Sequence, residues 1–461
     1  MLTEFHAGEP GKVITCEEPK EELSLPGKVT ANCDVMDGQS LTSVENMVKL
    51  NALNDPAILY NLRLRFSQDV IYTYVSTILV AVNPFKMLPI YTPEVLDQYI
   101  EKGHRGLDPH VWSIADMAYR TFTETFDDQS IICSGESGAG KTMCMKLVLQ
   151  YLAEVSARAG GAGAAAGDAD GTTETLEQKI LKANPVMEAT GNAKTTRNNN
   201  SSRFGKWTAI LFNKNGGIIG GFIEDYLLEK SRVTFQTPEE RNYHVFYQMI
   251  ANGEAHSEFA TQYKLRPCTD FEYLKMGVTK VDGIPDLEEF NDLVDAFHAL
   301  GITEKDSIFR LLSAVLYIGN VKFEAYTGGS GDEEARISNP ETLDTIAELL
   351  QLESGEAMVV PLTSRKIGAG ESVYVKYKPA QANDARDALA KALYGNLFIW
   401  LIQKINTSLM SGLGDSDSAD VSTQNIIGVL DIFGFESFEV NSFEQMCINY
   451  CNEKLQFHFN E

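Results

Sequence analysis

The run Gly135-Glu136-Ser137-Gly138-Ala139-Gly140-Lys141-Thr142 fits the pattern GxxxxGK[ST]. Its glycines let consecutive backbone N–H groups turn inward around phosphate oxygens. A helix opening at the end of the run adds its dipole to that cradle. Lys141 is placed to reach the β- and γ-phosphates, and Thr142 to give its hydroxyl to Mg²⁺. The context agrees: an apolar run, Ser130 to Cys133, enters the loop, and an apolar-periodic stretch, Met143 to Val155, leaves it. This much implies a nucleotide-binding protein. It does not separate an ATPase motor from a kinase, a GTPase or a transporter ATPase.

Two further segments carry chemistry. Asn198-Asn199-Asn200-Ser201-Ser202-Arg203-Phe204-Gly205 is dense in amides and hydroxyls around one arginine. Asp431-Ile432-Phe433-Gly434-Phe435-Glu436 follows the apolar run Ile426–Leu430. An acid at the end of a buried strand is where a carboxylate that supports Mg²⁺ through water belongs.

The elements that must position these residues alternate short apolar strands with helices, which predicts an α/β core. Val70 to Val82 reads as one buried strand ending at Asn83-Pro84. Tyr91–Ile100, Asp108–Thr123 and Thr173–Leu181 read as helices. Trp207–Phe212 and Gly217–Tyr226 read as strands joined by an Asn215-Gly216 hairpin turn. Arg241–Ile250 and Asp286–Leu350 are largely helical in pattern, and Asp384–Met410 reads as one long helix. Residues 156–171 and the excursion between Val359 and Tyr377 read as surface loops. Asn441 opens a last helix with Glu444 at the capping-box position. The sequence stops inside that helix, which reads as a fragment.

Taken together, the glycine loop and the two later segments closely resemble the myosin motor domain. Further strings of that family stand in order: Asn83-Pro84-Phe85-Lys86, Asn192-Ala193-Lys194-Thr195, Leu227-Leu228-Glu229-Lys230-Ser231-Arg232, Glu240-Arg241-Asn242-Tyr243-His244, Asp387-Ala388-Leu389-Ala390-Lys391 and Asn441-Ser442-Phe443-Glu444-Gln445. The resemblance implies a P-loop-type mixed central sheet flanked by helices, with a large helical upper subdomain, truncated. Its implied organisation is a small β-rich extension over 1–45 and a motor core over 46–235. A helical actin-side subdomain follows over 236–424, then the second switch and the start of a relay helix over 425–461. Asn83, Pro84 and Tyr91 resemble the adenine-side segment. By the same resemblance, Gly135 to Thr142 would hold phosphates, and Asn198 and Ser201 look like first-switch phosphate contacts. Thr142 and Ser202 resemble the two Mg²⁺ hydroxyls, with Asp431 acting through water. The Gly434 amide would meet the γ-phosphate, and Gly434 is the expected hinge. Arg203 and Glu436 resemble the ion pair that joins the switches when the site closes. Glu371 looks like a built-in acid of an actin-contacting loop.

The implied activity is Mg-ATP hydrolysis coupled to movement on actin filaments. The alternative is a truncated, nucleotide-binding actin interactor without motor activity. A kinesin-like motor would need different switch strings, and a nucleoside kinase an acceptor pocket that is not evident. Calmodulin-like light chains and any membrane contact would come only through regions this sequence lacks. So would the lower actin-binding subdomain and a further sheet strand, so that these residues alone are expected to be poorly stable. Met143, Met87, Thr190 and Phe433 depart from common family residues without removing a phosphate or metal group.

Composition sets the outer bounds. The 461 residues are 44% hydrophobic and 22% charged, a globular balance. The net charge of −25 argues against nucleic acid as a partner. Seven scattered cysteines with no CxxC, and no signal-like amino terminus, fit a reducing, cytoplasmic setting.

Overall fold

The computed structural model describes residues 14–16, 33–35, 41–159, 175–328, 333–367, 373–411, 425–437, 441 and 443–460. Two compact units are built from interleaved chain: residues 1–131 with 139–155, and residues 132–138 with 156–461. The chain passes between them three times: after residue 131, after residue 138 within the glycine loop, and after residue 155. Among the described residues, no helix is long and apolar enough to cross a membrane.

In the first unit, β1 (Ile14–Cys16) and β2 (Cys33–Val35) pair antiparallel. Helix α1 (Asp55–Phe66) is capped by the Asn54 side chain. The stretch expected as one strand is a hairpin, β3 (Tyr72–Val75) and β4 (Ile78–Ala81). Ser76 turns it with φ 57°, a left-handed conformation that neither a glycine nor a proline announces. Ile78 is half exposed while Val80 packs against buried Met47, Leu50 and Ala57, so the second arm is only partly core. Helices α2 (Pro93–Lys102) and α3 (Val111–Thr125) follow. The cap of α3 is His110, whose Nδ1 accepts from the Trp112 amide at 3.1 Å. Pro109 lies just before that cap. Helix α4 (Lys141–Arg158) opens at the end of the glycine loop. It packs on α3: Trp112 Nε1 donates to Leu147 O, and the Tyr151 hydroxyl donates to buried Asp116.

The second unit is organised by a sheet in the order β5-β14-β8-β9, built from β5 (Gln129–Cys133), β14 (Asn425–Asp431), β8 (Gly205–Phe212) and β9 (Ile218–Tyr226). Of β5, only Ile132 and Cys133 belong to this unit. Strand β14 reads NIIGVLD and buries residues of both faces, as a central strand does. It runs antiparallel to β8, with Asp431 opposite Lys206. The β8–β9 hairpin turns at Asn215-Gly216, as its sequence predicts.

Helix α5 (Leu176–Gly191) is much longer than Thr173–Leu181, and it contains Pro185. It leads into two short paired strands, β6 (Asn192–Ala193) and β7 (Ser201–Ser202). The helical mass holds α6 (His244–Ala255), α7 (Ser257–Gln262), α8 (Asp286–Ala299), α9 (Lys305–Gly319), α10 (Glu341–Leu350) and α11 (Val359–Thr363). Two hairpins interrupt it: β10 (Phe323–Thr327) with β11 (Glu333–Ile337), and β12 (Ser364–Ile367) with β13 (Val373–Lys376). Residues 286–350 are largely helical, as expected, with the first hairpin set between α9 and α10; the second hairpin corrects the loop reading of the excursion within 359–377. Helix α12 (Pro379–Met410) buries Tyr394, Leu397, Phe398, Leu401, Ile402, Ile405 and Leu409 along one face. Its Tyr394 hydroxyl donates to Thr190 O at 2.7 Å, and its Phe398 meets Phe204 with ring centroids 5.0 Å apart. Helix α13 (Phe443–Asn460) is the last element.

Candidate functional site

The glycine loop takes the backbone form its sequence demands. Gly138 and Gly140 have φ 81° and 97°, where a side chain would be strained. The Cys144 amide donates to Gly140 O, closing the first turn of α4 over Lys141 and Thr142. In the first unit, the Gly140 side-chain position faces Asn83 at 4.0 Å. Asn83 Oδ1 accepts from the Phe85 amide. The Tyr91 hydroxyl lies 2.8 Å from that of Tyr72, and Pro84 is half-buried beside Asn83.

In the second unit the start of the glycine loop meets both later segments. Ser137 Oγ is 3.3 Å from Ser201 Oγ. A Cβ on Gly138 would lie 3.6 Å from Arg197 O and 3.8 Å from Asn198 Cβ. A Cβ on Gly434 would fall 2.1 Å from Gly135 O and 2.8 Å from Glu136 Cα. Gly434 is thus a glycine because its backbone passes directly against the loop. Ser137, Thr195, Arg197, Phe435, Glu436 and Ser437 enclose a cavity of about 10 Å³, room for one water centre.

The segment before Ser201 is held by its own side chains. Asn198 N donates to Thr195 Oγ1 at 3.2 Å, and Asn200 N to Asn198 Oδ1 at 3.0 Å. Asn200 Oδ1 accepts from Asn192 Nδ2 at 2.9 Å and lies 3.2 Å from His244 Nε2. The amide oxygen only accepts, so His244 carries its proton on Nε2. Burial, with Arg241 adding to it, pushes the His244 pKa down to about 3, so the ring is neutral. Ser202 pairs with Asn192 across β6–β7 and is half-buried.

Arg203 is fully buried and grips two carboxylates. Its Nη1 and Nη2 donate to Glu436 Oε1 and Oε2 at 2.6 and 3.1 Å. Its Nε and Nη2 donate to Glu229 Oε2 and Oε1 at 2.8 and 3.2 Å. Nη1 also reaches Ser201 Oγ at 3.1 Å, so all five of its N–H groups have acceptors. Arg232 Nε donates to Glu229 at 2.6 Å and its Nη1 to Glu240 at 3.0 Å. Burial alone would push the Glu229 carboxyl up. The Arg232 and Arg203 guanidiniums outweigh that and hold it at about 2.

The family resemblance pairs Arg203 with Glu436 and leaves Glu229, Arg232 and Glu240 without a role. Their signal in the sequence is the alternating charge of LLEKSR and ERNYH. Asp431 is buried at the end of β14. Glu371 lies outside the described residues. The hydroxyl of Thr142 in the first unit, and the hydroxyl of Ser202 and carboxylate of Asp431 in the second, are each hard oxygen donors, the kind that Mg²⁺ takes in preference to a softer metal.

A glycine loop opening a helix, and two later loops clamped to each other by a buried arginine, define the P-loop class of α/β proteins with switch segments. A model of the myosin head (motor domain) matches residues 44–461, and the chain belongs to that family. It is 43% identical over 431 residues to the myosin-I heavy chain of Dictyostelium discoideum, covering 93% of this chain and 17% of that protein. It is 41% identical over 466 residues to human unconventional myosin-Va, covering 100% and 24%. Myosin-1 of Arabidopsis thaliana is 41% identical over 468 residues, covering 98% and 37%. The chain thus spans well under half the length of these relatives.

Proposed function

We propose that this chain is the nucleotide-binding part of an actin-based motor head that hydrolyses Mg-ATP. The observation that supports it most is the double fork of Arg203 with Glu436. It ties together two loops 233 residues apart, directly beside Ser137 and Ser201 of the phosphate side. Lys141 and the loop amides hold the phosphates, and Asn198 and Ser201 face the terminal one. Thr142 and Ser202 would hold Mg²⁺, with Asp431 supporting it through water. The ion's charge would neutralise phosphate oxygens as the terminal group departs.

The residues of this chain do the positioning. The Gly434 amide and Ser201 close on the equatorial oxygens. Glu436 is committed to Arg203, so it orients the attacking water rather than acting as a free base. The cavity bounded by Ser137 and Glu436 gives that water a place. Asn83, Pro84 and Tyr91 form the adenine side. Glu371, which stands between β12 and β13 in the sequence, would be the acid of an actin-contacting loop in the cytoplasm; Val373 and Tyr374, which follow it, are exposed. The full-length protein should hydrolyse Mg-ATP faster with actin filaments present. Arg203→Ala should bind a fluorescent ATP analogue within a few-fold of the natural protein and lose its hydrolytic burst by roughly a hundredfold or more. Lys141→Ala should weaken both. Normal turnover in Arg203→Ala would refute the proposal.

A further inference from the structure

The two carboxylates on Arg203 are held in different ways. Glu229 is bound to Arg203 through the backbone as well, its N–H donating to Arg203 O at 2.9 Å. The Tyr243 hydroxyl fixes the Glu229 carbonyl at 2.8 Å. Glu436 is anchored elsewhere: its N–H donates to Asn449 Oδ1 at 2.8 Å, and Asn449 Nδ2 donates back to Glu436 O at 2.7 Å. Asn449 belongs to α13. If the two loops part, Glu229 stays with Arg203, and Glu436 leaves with α13.

The charges agree with that division. Without Glu436, the buried cluster holds two guanidiniums, Arg203 and Arg232, and two carboxylates, Glu229 and Glu240. That set is neutral. Glu436 adds a third carboxylate and leaves one excess negative charge. Nearby Arg241 is paired separately with Asp286 at 2.7 Å, so it does not balance the excess. A buried guanidinium left without a partner is costly enough to hold a latch shut.

We infer that Glu229 is a positioning residue, the resident counter-ion of Arg203, which keeps the open site neutral and so makes the Arg203–Glu436 latch reversible. This rests on the proposed ATPase cycle. Arg232 and Glu240 set the bias of the latch by charge. Removing a resident carboxylate leaves the open cluster positive and favours closure. Removing Arg232 makes the closed cluster more negative and favours opening.

The test uses the full-length protein, with quenched-flow measurement of the hydrolytic burst and a fluorescent sensor for phosphate release. Glu229→Gln should keep its burst amplitude within about twofold and release phosphate roughly tenfold more slowly. Glu240→Gln, which does not touch Arg203, should shift release the same way by less. Arg232→Gln should do the reverse, lowering the burst roughly tenfold without slowing release. A melting curve for each variant shows that it is folded. If Glu229→Gln does not fold, the opposite signs of Glu240→Gln and Arg232→Gln still decide. An unmodified protein that hydrolyses ATP, with variants that all shift the same way or lose burst and release in parallel, would overturn the inference alone. An unmodified protein without Mg-ATP turnover would overturn both it and the proposed function.

Discussion

At Gly434 one methyl group is enough to separate two loops. Its Cβ would stand 2.1 Å from the Gly135 carbonyl oxygen, a backbone atom that cannot rotate away. Gly434→Ala must therefore hold the second switch off the glycine loop. The expected result is nucleotide affinity within a few-fold of the natural protein and a burst reduced by roughly a hundredfold. Because the strain is relieved by moving a loop end rather than by breaking a core, the melting temperature should change little. Normal burst kinetics would show that the close approach is not needed for hydrolysis. The sequence marks Gly434 as a hinge through its freedom from Cβ. The structure gives a second reason, space. A sequence cannot show that reason, because Gly135 is about three hundred residues away in the chain.

Elements differ in how openly the sequence declares them. The β8–β9 hairpin is legible because Asn215-Gly216 supplies the left-handed turn between two apolar runs. The switch strand β14 is legible because its apolar run ends at an acid. The β3–β4 hairpin is hidden because Ser76 takes the same conformation without announcing it. Helix α5 is hidden by Pro185, which reads as a stop although the helix passes through it. The hairpins within 323–337 and 364–376 are short and carry charged or exposed residues, so neither periodicity dominates. The ionic cluster behind Arg203 was readable as strings but not as a cluster, since pairing is decided by how α5, β7 and the 229–241 segment pack. Packing also fixes residues the pattern leaves free. In β14, a Cβ on Gly428 would sit 1.8 Å from the Trp207 ring, on the neighbouring strand β8. Gly428→Ala should cost about 1–3 kcal/mol in denaturant unfolding. Adding Trp207→Leu should recover part of that loss, because it clears the same space. Independent, additive losses in the double variant would show that the ring is not the obstacle.

Over the whole molecule, acid acts on stability in two opposing directions. The net charge of −25 repels itself at neutral pH, and protonation relieves that repulsion. Buried histidines work the other way. In one unit, burial pushes His110 down to about 4, and its Nδ1 lone pair is already committed to capping α3. In the other, burial pushes His244 down to about 3. A folded pKa below the unfolded value of about 6.5 means that the unfolded chain binds more protons between the two. The contribution is therefore complete above pH 6.5 and is lost as pH falls toward 4 for His110 and toward 3 for His244. Glu229, held at about 2, adds no slope until pH nears the ordinary carboxylate range of about 4.5. Between pH 6.5 and 5 the two histidines thus account for a loss of up to about 1.4 kcal/mol per pH unit each. Near 0.15 M salt the Debye length is about 8 Å, which screens diffuse surface repulsion but not a buried ring. At that salt, unfolding free energy should fall from pH 6.5 to 5, and at low salt the fall should be shallower. His110→Asn keeps a capping acceptor, and His244→Gln keeps a donor for Asn200, but neither can take the proton. The double variant should flatten the pH profile over that window. A slope unchanged in the double variant would assign the acid sensitivity to other groups.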